Sequence, residues 1–317
     1  MSNSSDIVPQ SGPGSATPAA MPIESAVTDR RYRSRPYYWS VRRELWENRS
    51  IYLAPLIVAA VELVGFFVSI IGLPERRRAA LLLEPLKQRA AIELPYDMVA
   101  MIMILTAFIV GLFYCLDALH GERRERSILF WKSLPVSDLT TLLSKATIPL
   151  VVLPIVAFVV IVATQFIMLL MSSVALLGSG LVSTTWTHFN LLPQSVILLY
   201  TLIVIVLWHA PIYSWALLVS GVARRATFLW AVLPLIAIGV LEKIAFNTLH
   251  FATLVKDRVF GAGDTAFAFH HSGVAIDSLS QLTPGRYLST PGLWIGLVFA
   301  SVFFIAAVRL RRYRGPI

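Results

Sequence analysis

Charge is scarce in this chain: only 14% of its 317 residues are Asp, Glu, Lys or Arg. A soluble core of that size needs a charged shell, and too little charge is present to build one. Cysteine is nearly absent too. Cys115 stands alone, so an internal disulfide is excluded and the residue reads as a small apolar packing group. The sequence contains no G-x-x-x-x-G-K-[ST] phosphate loop. Gly178-Ser179-Gly180 and Gly261-Ala262-Gly263 lack the downstream Lys that such a loop needs and read as turns. No G-x-S-x-G nucleophile motif occurs. His270-His271 has no carboxylate or Cys at ligand spacing, which favours a solvated loop over a metal site. An enzymatic reading therefore has little support.

What is present is apolar. Hydrophobic residues make up 56% of the chain and the mean hydropathy is +0.71. They fall in blocks long enough to cross a bilayer, which takes roughly 20 helical residues. Six spans are expected near Ile51–Leu73, Met98–Leu119, Ile148–Met171, Ser195–Val222, Thr227–Leu241 and Gly292–Val308. The fold class is an all-α polytopic membrane protein, with residues 51–317 as its six-span domain.

Residues 1–28, rich in Ser, Pro, Ala and Gly, lack the basic start and apolar centre of a signal peptide and read as a disordered cytoplasmic tail. Residues 29–50 mix Arg with Tyr and Trp. After Pro36, Tyr38, Val41 and Leu45 share a helical stripe, as in an amphipathic helix lying at the headgroups before span one. The net charge of +9 clusters beside the apolar blocks, which fits anionic lipid better than nucleic acid. With the N-terminus inside, 18 of the 27 Lys and Arg lie on the inner side. That bias favours both termini in the cytoplasm.

The outer segments are less regular. PERRRAALLLEPLKQRAAIELP, between spans one and two, carries five basic residues against the rule and reads as a surface helix on the outer leaflet. The stretch between spans five and six alternates apolar pieces with Gly and Pro. Short helices that dip into the outer leaflet or cap the outer mouth are expected there. No internal repeat is evident, which weighs against transporters built from duplicated halves.

Between spans two and three lies GERRERSILFWKSLPVSDLTTLLSK, Gly121 to Lys145. Helical spacing from Glu122 puts Ile128, Trp131 and Leu134 on one stripe, with Arg123, Arg126 and Lys132 off it. Pro135 stops that helix. Ser137 then reads as an N-cap, with Asp138 in the first turn of the helix that becomes span three. Such an element can lie on lipid as a connector or present its stripe to a protein groove.

The segment resembles the cytoplasmic loop after the second span of type 2 ABC transporter permeases. The matching residues are Glu122, Arg123, Ser127, Ile128, Phe130, Trp131, Ser133, Pro135, Val136, Ser137 and Lys145. Arg126 stands where that family usually has Gly, and Lys132 where it usually has an apolar residue. The resemblance also covers the N-terminal amphipathic helix, the six spans and the long outer segment. It implies a coupling helix, Glu122 to Pro135 with Arg126 and Leu134 included, seated in a cleft of a separate ABC ATPase. ATP and Mg would be bound by that partner and not by this chain. It implies a pair of permease subunits, identical or related, in a bacterial inner membrane, exporting an unidentified substrate.

Three polar residues inside the spans are candidates for a substrate path. Glu62 lies at the centre of span one, where a charge costs roughly 2.5–3.5 kcal/mol on insertion scales. A hydrogen-bonded Glu that staples two helices is the competing reading. Gly65, Ser69 and Gly72 share its face, which suggests packing on protein. Gln165 in span three and His209 in span four follow, with Pro211 able to bend span four and free a carbonyl for the His. A secondary transporter or channel carrying protons or ions on Glu62 and His209 is the rival reading. A non-transporting, ABC-like signalling subunit is a second.

Overall fold

The computed structural model describes residues 35–125, 136–268 and 279–313. Residues 1–36 form one unit, of which only Arg35 and Pro36 are described, and residues 37–317 form a second that holds every long helix. Among the described residues six helices are long and apolar enough to cross a membrane. Among the described residues strand structure is limited to one bridge, Phe267 to Leu282. The chain is an all-α, multi-pass membrane protein. The 1–28 tail, positions 126–135 and the His270-His271 pair lie outside the described residues.

Helix α1 spans Arg35–Glu47 and leads directly into α2, Ser50–Ser69, the first span. Of the expected stripe, Val41 and Leu45 pack on the core, but Tyr38 stays 60% exposed. The buried centre of α1 is Glu44.

The segment between spans one and two departs from expectation. It is not one surface helix but two pieces, α3 (Leu73–Leu81) and the start of α4 (Pro85–Ala118). Pro85 occupies the first turn of α4, where its missing amide leaves no bond unmade. Arg77, one of the five basic residues, is buried beside Tyr96, whereas Leu82 and Leu83 are exposed. Helix α4 is 34 residues long, about 50 Å at 1.5 Å per residue. It therefore projects well past a hydrocarbon layer of about 30 Å.

After α5 (His120–Arg124) and the undescribed 126–135, span three runs as α6 (Asp138–Thr147), a π-turn (Ile148–Val152) and α7 (Leu153–Ala175). Ser137 caps α6 as expected, its Oγ accepting from the Thr140 amide at 3.1 Å, with Asp138 favourably placed against the helix dipole. Pro149 and Pro154 each lack an amide donor, and the π-turn that contains Pro149 and ends just before α7 absorbs the interruption. Gly178 and Gly180, at φ +83° and +70°, form the expected turn to α8 (Val182–His188).

Span four is α9 (Leu191–Val222), 32 residues and unbroken through Pro211. Span five is α10 (Thr227–Phe246), closed by Asn247 in the left-handed conformation. The next stretch forms short helices as expected: α11 (His250–Phe260), α12 (Ala262–Ala266) and α13 (Pro284–Ser289). Span six is α14 (Pro291–Tyr313).

Packing between these helices falls into layers. At one end Ile51, Tyr114, Cys115, Ala146, Ala216 and Leu217 share a core, and Cys115 is fully buried within it. In the middle Ala59, Met103, Ala157, Ile161, Leu198 and Leu202 meet. At the far end Phe66, Tyr96, Met168, Leu169 and Phe189 meet. The helix starts and ends that share the first layer also surround the polar cluster described next.

Candidate functional site

Four helices converge where α1 meets the ends of spans two and six and the start of span three. Burying charge there is costly unless each charge is paired and hydrogen-bonded. The pairing is dense. Lys145 Nζ donates to Glu44 Oε1 at 3.0 Å and lies 3.1 Å from Glu122 Oε1. Arg43 Nη2 donates to Glu44 Oε1 at 2.7 Å and approaches Glu122 Oε1 at 3.5 Å. The Tyr114 hydroxyl donates to Glu44 Oε2 at 2.8 Å. From span six, Arg311 Nη2 sits 3.2 Å from Glu122 Oε2, and its Nε sits 3.6 Å from Asp138 Oδ1.

Three carboxylates and three cations thus balance one another in a setting where Glu44, Lys145 and Arg311 are all at least 95% buried. Burial alone would raise the Glu44 carboxyl, but Lys145 and Arg43 beside it outweigh that and hold it below the usual carboxylate range. In the low local dielectric each remaining bond is strong, and each lost one is expensive.

A second lock lies against the first. Arg123 Nη1 donates to the carbonyls of Gly221 at 2.8 Å and Ala223 at 3.2 Å, satisfying acceptors at the C-terminal end of span four. Ser220 Oγ accepts from the amides of Leu119 and His120, both at 2.9 Å. Gly221 permits this approach, since a Cβ there would meet Leu310 at 3.0 Å and Leu119 at 3.4 Å.

Geometrically, the cluster grips both roots of the 126–135 segment. Glu122 and Arg123 stand on its N-terminal side, and Asp138 and Lys145 on its C-terminal side. Arg311 bridges the two roots by touching Glu122 and Asp138. The same contacts tie these roots to α1 and to spans two, three, four and six. The remaining expected coupling residues, Arg126, Ser127, Ile128, Phe130, Trp131, Ser133, Leu134 and Pro135, lie outside the described residues.

Sequence reading missed Glu44, Tyr114, Ser220 and Arg311. The signal available was an acid in the middle of a basic, aromatic helix and a Lys at the head of an apolar span. The in-span candidates do not gather at this cluster. Gln165 Nε2 donates to the Tyr96 carbonyl at 3.2 Å. His209 has both ring nitrogens against carbonyls, Nδ1 to Ile205 at 2.8 Å and Nε2 to Val259 at 3.1 Å. It therefore ties α11 to the middle of span four, helped by Trp208 Nε1 donating to the Asp257 carbonyl at 3.0 Å. Neither oxygen of Glu62 has a hydrogen-bond partner, though both are buried. Gly65, expected to pack on protein, meets nothing within 4 Å in this chain. Among the described residues no three His, Cys, Asp or Glu side chains gather as a metal site. Compared with family models, curated proteins and solved structures, the chain matches none.

Proposed function

We propose that this chain is the membrane-spanning permease subunit of an ATP-driven exporter of the ABC type, worked by a separate ATPase that docks between Arg124 and Pro135, with Glu122 and Arg123 as the buried root of that segment. One observation carries the reading: Lys145 and Arg311 both pair with Glu122, and Arg311 also lies 3.6 Å from Asp138, which ties the segment's two roots to each other and to span six. A flexible connector has no use for a buried, charge-balanced knot at its roots. A lever does. The Ile128–Trp131–Leu134 stripe supplies anchors for a groove on the motor subunit, and the residues resembling the type 2 permease loop fall in the same place. In this reading both termini face the cytoplasm of a bacterial inner membrane, the working unit contains two permease subunits, and Glu62, Gln165 and His209 are candidates for the path.

The test is association. Affinity isolation of the full chain from its native membranes should bring down an ATPase with a phosphate loop. Trp131→Ala combined with Leu134→Ala should release that ATPase, because both anchors leave its groove. Unchanged co-purification after the double substitution sinks the docking assignment.

The unpartnered Glu62 carboxyl favours a second reading, a carrier driven by a proton or ion gradient. Isolation of the chain without any ATP-binding partner would favour it.

A further inference from the structure

The layers of the bundle set the register of α2 against α7. Ala59 lies in one layer with Ala157 and Ile161, and Phe66 in the next with Met168 and Leu169. By that register Glu62 of α2 falls opposite Thr164 and Gln165 of α7, at the step between the two layers.

Three oxygens at this level have no hydrogen-bond partner. Thr164 Oγ1 donates to its own helix, to the Val160 carbonyl at 2.8 Å. The Gln165 amide nitrogen is used by the Tyr96 carbonyl, which fixes the amide's orientation and leaves Oε1 buried without a partner. Both Glu62 oxygens are likewise buried and unpartnered. No Lys or Arg occurs in α2, α7 or α9, nor in α4 beyond Arg89. The titratable groups on α4 near this level are Tyr96, bonded to Ser172 at 3.0 Å, and Asp97, which accepts from Gln194 at 3.2 Å. Arg77 of α3 lies beside Tyr96. A buried carboxylate with no donor and no counter-charge neutralises itself by keeping a proton.

We propose that Glu62 and Gln165 form a proton-binding site in the middle of the membrane, with the Glu62 carboxylic acid donating to Gln165 Oε1. One proton then serves two of the three unpartnered oxygens, one on Glu62 and Gln165 Oε1. The proton leaves only when α2 and α7 part enough to admit water, so its release reports the opening of that contact. The site stands whichever energy source drives the protein.

The test uses the full chain in lipid vesicles and two carbodiimides, which react with the protonated form of a carboxyl. Dicyclohexylcarbodiimide, which partitions into lipid, should label Glu62 at neutral pH, as read by mass spectrometry of the peptide between Arg49 and Arg76. Glu62→Gln should abolish that label while Glu75 in the same peptide is unaffected. A water-soluble carbodiimide should leave Glu62 unmodified. Absence of labelling by the lipid-soluble reagent, or equal labelling by both, overturns the site. For the pairing, the infrared carboxyl C=O band that vanishes in Glu62→Gln should shift in Gln165→Leu, with folding checked by gel filtration. An unmoved band removes Gln165 from the site.

Discussion

Glu44 and Lys145 are 101 residues apart in sequence, yet the Lys145 ammonium donates to the Glu44 carboxylate at 3.0 Å with both side chains out of water. This contact joins the amphipathic first helix to the head of span three. Because each partner would be left as a lone buried charge without the other, single substitutions should be severe. Glu44→Gln or Lys145→Met should each lower stability by about 3–5 kcal/mol. The double substitution should lose less than the sum, with a coupling of at least about 1 kcal/mol. Denaturant unfolding in mixed micelles measures all four corners of that cycle.

Acid should undo the same knot. The depressed Glu44 carboxyl contributes stability that is fully present above its unfolded value, about 4.3. It is lost as pH falls through the lower folded-state value. The stability gap between wild type and Glu44→Gln should therefore be widest from neutral pH down to the ordinary carboxylate range. Further acidification should shrink it. Unfolding midpoints across a pH series test this, and a gap that grows on acidification contradicts the pairing.

At the other end of the bundle, Arg258 is held by the Gly292 carbonyl at 2.6 Å and lies 4.5 Å from the Trp208 ring centre. Gly296 leaves the room it needs, since a Cβ there would fall 2.5 Å from the guanidinium. Gly296→Ala should displace that group and destabilise the fold by about 1–3 kcal/mol. In an Arg258→Ala background the same substitution should have little effect, because the atoms it would strike are gone. Thermal melts of the single and double variants separate these outcomes.

The six spans were legible because crossing a bilayer demands a long apolar run, and a run is local information. Their full length was not. The polar beginning of α4, from Pro85 to the start of the apolar block, continues the helix without any hydropathy signal. The Ser137 cap was readable from a short motif, and the turn at Gly178 and Gly180 from composition. The knot was hidden for a different reason. Glu44, the segment that holds Glu122 and Lys145, and Arg311 come from three distant parts of the chain, and local periodicity says nothing about which charges meet. Counting Lys and Arg as markers of orientation treated Lys145 and Arg311 as surface charges, whereas both are buried ion-pair partners. Glu62 and Gln165 were noticed singly as polar residues in apolar spans. Only the packing layers put them at one level.

The central claim is that residues 122–135 form a lever gripped at its roots and worked by a separate motor. A photoreactive amino acid placed at Trp131 in native membranes tests it most directly. The account expects illumination to yield a cross-link to an ATP-binding protein, with position 131 reachable only from the cytoplasmic side. Labelling of position 131 from the opposite face, or a cross-link pattern with no ATP-binding protein in it, contradicts the account.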